Sequence, residues 1–181
     1  MIKTRKDLYS CLERDYERMD STPKLRDILV CNVSWYIWNY IKALRHVEYC
    51  LNNGLKGVYF WFWWLIYRRI GFKMKYFIAP NTTGPGLQIF HTGDFIWIGK
   101  GCKIGSNCTL RPGVVFGRKS VKPDPDIIIV GDNCEFGVGS KIIGSVKIGN
   151  NVTVGANAVV TKDVPDNAVV AGVPAVVVKI Q

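Results

Sequence analysis

The stretch VGDNCEFGVGSKIIGSVKIGNNVTVGANAVV, running from Val130 to Val160, carries an apolar residue at every sixth position: Val130, Phe136, Ile142, Ile148, Val154 and Val160. The same period appears upstream at Ile98, Ile104, Leu110 and Phe116. In these ten hexads the second residue is Gly seven times, and the fourth is Gly or Asn seven times. Gly and Asn accept positive φ at little cost, so they mark corners. The fifth residue is small or β-branched, as at Cys102, Cys108, Val114, Cys134, Ser140, Val152 and Ala158. A short strand ending in a corner, repeated three times, makes a triangular coil of eighteen residues. Coils of this kind stack about 4.8 Å apart. The expected stack sets Val130 on Ile148, Phe136 on Val154 and Ile142 on Val160. A β-sandwich would alternate with period two instead. Internal repetition therefore decides the fold before any single strand is assigned.

Hexads such as VGDNCE, FGVGSK, IGNNVT and VGANAV resemble those of the hexapeptide-repeat acyltransferases. The tail VVTKDVPDNAVVAGVPAVVVK, Val159–Lys179, is similar to that family's C-terminal ending. The segment NTTGPGLQIFHTGDFIWIG, Asn81–Gly99, resembles the serine O-acetyltransferase branch, including short members associated with capsule and exopolysaccharide genes. The resemblance implies a mainly β fold, a left-handed parallel β-helix with an N-terminal α-helical extension. It divides the chain into a helical region at 1–76 and an acyltransferase domain at 77–181. It also implies acetyl transfer from acetyl-CoA to a hydroxyl, with no metal. The implied assembly is a homotrimer with its site at the subunit boundary, a hexamer being the alternative.

The chain of 181 residues has a formal charge of +10. Residues 1–77 hold 14 Lys and Arg against 7 Asp and Glu, and residues 78–181 hold 10 against 7. Such a surface suits the phosphates of acetyl-CoA, an anionic acceptor or a membrane surface. No recognition motif points to nucleic acid. Six cysteines lack CxxC spacing, and Cys102, Cys108 and Cys134 share the fifth hexad position, so they read as core thiols. The charged start MIKTRKDLYSCLERD has no apolar signal region, from which a cytoplasmic location is expected.

Thr4 to about Arg18 reads as an amphipathic helix with Leu8, Cys11, Leu12 and Tyr16 on one side. Ser21-Thr22-Pro23 is a helix start, with a long helix expected to about Leu51 and Asn52-Asn53-Gly54 ending it. Val58 to Tyr67 is an aromatic run of ten residues followed by Arg68 and Arg69. Ten residues cannot span a bilayer, which needs about 20. The run either packs on the β-helix and partner subunits, or sits peripherally at a membrane interface.

The period breaks twice. Ile89 to Ile98 takes nine residues rather than six, and the bulge contains His91, one of only two histidines. Phe116 to Val130 takes fourteen rather than twelve and carries the polar loop GRKSVKPDPD. Irregular loops on a rigid scaffold commonly carry function. The context GPGLQIFH matches that of the catalytic histidine in the serine O-acetyltransferases, which implies His91 as general base. Neutral imidazole, with an ordinary pKa near 6.5, suits removal of a hydroxyl proton. The family's orienting Asp is replaced by Phe77, and its carboxylate before the histidine by Phe90. The loop carries Arg118, Lys119 and Lys122 but no histidine. Asp94 is the candidate for orienting His91. Phe90, Arg118 and Lys119 are candidates for binding the acceptor. These departures favour a saccharide or saccharide precursor as acceptor, with L-serine as the alternative. A non-catalytic β-helix scaffold is a further reading. By position in the family, Gly139, Ser140, Lys141, Ala158 and Lys162 are candidates for contacting acetyl-CoA.

Overall fold

Each hexad folds as a strand of two or three residues, because its corner residue turns the chain before a longer strand can form. The protein is described here by a computed structural model covering residues 1–21, 27, 32–119 and 127–181. Of the seven Gly or Asn corner residues, Asn107, Gly113, Asn133, Gly139, Asn151 and Asn157 adopt φ between 55° and 81°; Gly101 does not. The second-position glycines serve a different need, which is close stacking. A Cβ on Gly137 would lie 2.6 Å from the Ala156 nitrogen of the next coil.

Three faces of parallel strands result. The first holds β1 (Tyr76–Ile78), β3 (Ile96–Ile98), β6 (Val115–Gly117), β9 (Lys141–Ile143) and β12 (Val159–Val160) in that order. The second holds β4 (Cys102–Ile104), β7 (Ile128–Val130) and β10 (Lys147–Ile148). The third holds β2 (Gln88–Ile89), β5 (Thr109–Leu110), β8 (Glu135–Phe136), β11 (Thr153–Val154) and β13 (Ala168–Gly172). β14 (Ala175–Ile180) then pairs antiparallel with β13. The expected pairs are present: Val130 with Ile148, Phe136 with Val154, and Ile142 with Val160. All ten hexad residues are buried, and Phe116 meets Phe136 edge to face at 5.0 Å. Each such side chain contributes roughly 1.5–3 kcal/mol.

The second break is larger than the sequence suggests. Phe116 belongs to the first face and Val130 to the second, a step that takes six residues from Ile142 to Ile148. The insertion is therefore eight residues, not two, and Ile104 pairs with Val130 across a 26-residue coil. An apolar residue announces that it points inward but not which face it belongs to. Ser120 to Asp126, including Lys122, lie outside the described residues.

Helix α1 (Arg5–Glu17) starts with a capping box between Thr4 and Asp7. It buries Leu8 and Cys11 but leaves Tyr16 partly exposed against Trp38. Helix α2 (Val33–Asn52) begins at an Asn32 cap. Thr22 and Pro23 of the expected helix start, and Cys31, lie outside the described residues. The other five cysteines are buried and unpaired. Helix α3 (Val58–Met74) corrects the ten-residue aromatic run, continuing past Arg68 and Arg69 to an αL cap at Lys75. Arg and Lys are good helix formers, so the end of the apolar run is not the end of the helix.

The helices join the first coil through one continuous core that includes Tyr40, Ile41, Leu44, Tyr76 and Ile78. A Cβ on Gly71 would stand 2.8 Å from the Tyr76 carbonyl, so α3 approaches β1 only because that residue is Gly. The first strand thus begins at Tyr76, one residue before the expected boundary. Arg45, almost fully buried, bridges the two parts. It binds Asp15 at 2.7 Å and Glu48 at 3.0 Å, and donates to the carbonyls of Thr83 and Gly84. No helix among the described residues is long and apolar enough to cross a membrane.

Candidate active site

The bulge between β2 and β3 sits at the corner where the third face passes into the first. His91 is exposed there, in a left-handed backbone conformation with φ 53°. A non-glycine residue rarely adopts that region without something holding it. Tyr76, buried in the first strand, donates its hydroxyl to the His91 carbonyl at 2.6 Å. Burial pushes the Tyr76 phenol above its ordinary range, so it stays a donor. Lys75 reaches the Gly93 carbonyl at 3.5 Å on the other arm of the bulge. The backbone is thereby anchored, and the imidazole makes no hydrogen bond among the described residues. Phe90 is its ring neighbour, 5.9 Å away.

Asp94 does not reach the imidazole in this conformation. Its Oδ1 accepts the following Phe95 N–H at 2.8 Å, and its Oδ2 hangs over Gly113 on the next coil. Lys141 donates to the Gly113 carbonyl, so an ammonium and a carboxylate share that corner. Phe90 is half-buried, with the Arg111 guanidinium 5.1 Å over its ring.

Ser140 and Ala158, expected at the coenzyme, turn their side chains inward. Both are fully buried in the coil interior. The Ser140 N–H donates to Gly137 and its carbonyl accepts from Val115. The Ala158 N–H donates to Gly155 and its carbonyl accepts from Lys141. Burial commits both side chains to the stack, and these bonds commit one interaction of each backbone group. Gly139 stands at the outer corner, with its N–H given to Pro112 at 2.8 Å.

The candidates divide between two edges of the first face. Phe90, His91, Asp94, Gly139 and Lys141 lie at the edge where the chain enters that face. Arg118 and Lys119 follow β6, and Lys162 follows β12, so they lie at the edge where it leaves. All three of these basic residues are exposed. A single copy does not bring the two groups together. Two neighbours of the bulge were missed from sequence, Tyr76 and Arg111. Arg111 was legible: carrying the Ile89–Leu110 register one step further sets Phe90 beside it.

Family comparison locates the repeats where the coils are. Residues 128–162 match the bacterial transferase hexapeptide (six repeats) and residues 96–121 the hexapeptide repeat of succinyl-transferase. A serine acetyltransferase of Staphylococcus epidermidis is 43% identical over 99 residues, which are 53% of this chain and 45% of that protein. The chain thus matches about half the length of that relative. Among solved structures, the serine acetyltransferase of Neisseria gonorrhoeae superposes with a TM-score of 0.77 at 23% identity, covering 98% of this chain and 68% of that one. A serine acetyltransferase solved in complex with CoA gives 0.74 at 23%, covering 96% and 71%. Identities this low carry the fold, a left-handed parallel β-helix behind an N-terminal helical part. Repeats, register and relatives converge: this chain carries the hexapeptide repeats of bacterial transferases on a left-handed parallel β-helix, and over about half its length it is similar to serine acetyltransferases.

Proposed function

We propose that the protein transfers an acetyl group from acetyl-CoA to a hydroxyl acceptor, with His91 as general base. The observation that carries this reading is the bulge, which exposes an imidazole while Tyr76 ties down its backbone. Neutral His91 takes the acceptor's hydroxyl proton as the oxygen attacks the thioester carbonyl. The tetrahedral intermediate collapses, the C–S bond breaks, and the imidazolium returns the proton to the CoA sulfur. Asp94 is the only carboxylate in the bulge, and it would orient the ring only after releasing the Phe95 N–H. Exposed Lys162 and half-buried Lys141 are the basic groups best suited to the coenzyme's phosphates, with Gly139 offering a close backbone approach.

The names of the relatives favour L-serine as acceptor. A saccharide is the second reading, favoured by the apolar side chains at 77 and 90. Phe77 and Trp97 pair at 5.8 Å on the outer first face, and Phe90 carries Arg111. Aromatic faces of this kind suit a sugar ring better than a free amino acid. The two-edge distribution of the candidates supports a homotrimer in which Arg118 and Lys119 of one copy approach the His91 edge of another; a hexamer would pair two such trimers. A cytoplasmic setting belongs to this reading.

The test is thioester consumption with acetyl-CoA and a panel of serine, nucleotide sugars and oligosaccharides. His91→Ala should lower turnover by about 10²–10⁴-fold with an unchanged melting temperature. Undiminished turnover in that variant removes the proposed base.

A further inference from the structure

Helix α3 buries Tyr67, Gly71 and Met74 against the core and turns a second apolar surface outward. Val58 is 87% exposed, Trp61 61%, Phe62 57%, Leu65 58% and Phe72 78%. Val58, Trp61, Phe62 and Leu65, spaced three and four residues apart, make one apolar stripe along the helix, and Phe72 lies on the same face beyond Arg69. An unpartnered stripe of this composition marks an interaction surface. The charge around it narrows the partner. From Tyr49 to Gly93 the chain contains no Asp or Glu, while Lys56, Arg68, Arg69, Lys73 and Lys75 supply five cations. Arg68 is exposed at the margin of the stripe and Arg69 within it, between Leu65 and Phe72, and Lys73 also contacts Tyr36.

A second copy docking through this same face fits it poorly. A twofold contact sets the same patch against itself. It would bring two sets of Arg68 and Arg69 together without an acidic residue from this segment to separate them. An anionic bilayer answers both features. Trp and Phe side chains enter the headgroup boundary, and Arg and Lys meet lipid phosphates. We infer that the outward face of α3 docks the protein peripherally on an anionic membrane surface. This inference does not depend on acetyl transfer.

The test is co-sedimentation of the full chain with vesicles of phosphatidylcholine alone, and of equal parts phosphatidylcholine and phosphatidylglycerol. Binding is expected to the second only, and to weaken as salt rises. Arg68→Gln with Arg69→Gln should lower the partition coefficient by about 30-fold. Trp61→Ser with Phe62→Ser should abolish it, and melting curves will verify that both variants fold. No binding, or equal binding to both vesicles, overturns the inference. So does a Trp61→Ser, Phe62→Ser variant that changes particle size in sedimentation velocity while still binding vesicles, since the stripe would then be a contact between copies. Loss of turnover in His91→Ala leaves the vesicle result untouched, so the two proposals fail separately.

Discussion

The coil stack and the helical layer bury their interiors by opposite rules. In the coils one motif recurs, each residue leaning on its equivalent in the coils above and below, and the interior is nearly all aliphatic or small. In the helical layer a few unique contacts carry the fit: Gly71 against Tyr76, Tyr40 between two strand backbone groups, and Arg45 among two carboxylates and two carbonyls. Repetition leaves the coil interior without polar partners, whereas the helical layer concentrates its polar contacts at a few residues. A single polar substitution should therefore cost most inside the stack, where no compensating charge exists, and a single deletion should cost most at Arg45.

Ile148→Asp puts an unpaired carboxylate in the coil interior and is expected to unfold the stack, read as loss of the cooperative melting transition. An unchanged melting temperature would mean that the hexad register is wrong. Arg45→Met leaves Asp15 and Glu48 buried without their cation and should cost about 3–5 kcal/mol in denaturant titration. A cost below about 1 kcal/mol would show that water enters the junction and that the comparison between the regions fails. His46, stacked on Trp63 at 3.9 Å, is held down to about 4 by burial and then by Lys42. The unfolded chain takes up that proton near pH 6.5, so stability should fall as pH drops from about 6.5 to 4. His46→Gln should flatten that part of the profile, and an identical profile would remove the assignment. The smallest effect belongs to Ser140, whose buried Oγ has no hydrogen-bond partner among the described residues. Ser140→Ala should be neutral or stabilise by up to about 1 kcal/mol. A destabilised variant would mean the hydroxyl has a partner in the folded protein.

The coil interior was legible from sequence because its period leaves little freedom: ten apolar positions, the small fifth residues and six of the seven corners follow from one rule. What escaped depends on information the period does not hold. The loop after Gly117 was undercounted because inward-facing residues look alike on all three faces. Ser140 and Ala158 were candidates for the coenzyme although they occupy the position that demands a small inward side chain. That demand turns their side chains into the coil and leaves only their backbone groups for such a contact. The bulge was visible as three surplus residues, and His91 within it. Its anchor Tyr76 lies fifteen residues upstream and becomes a neighbour only through the register of the first face.

The reversed last strand has a further consequence. A parallel stack can in principle grow indefinitely, since every terminal rung offers the same row of amides to the next. β14 closes the third face with a strand of opposite sense and a register shift beside Val169. Another molecule arriving in the same polarity meets a mismatched template. On that face the change of direction marks where the parallel register stops.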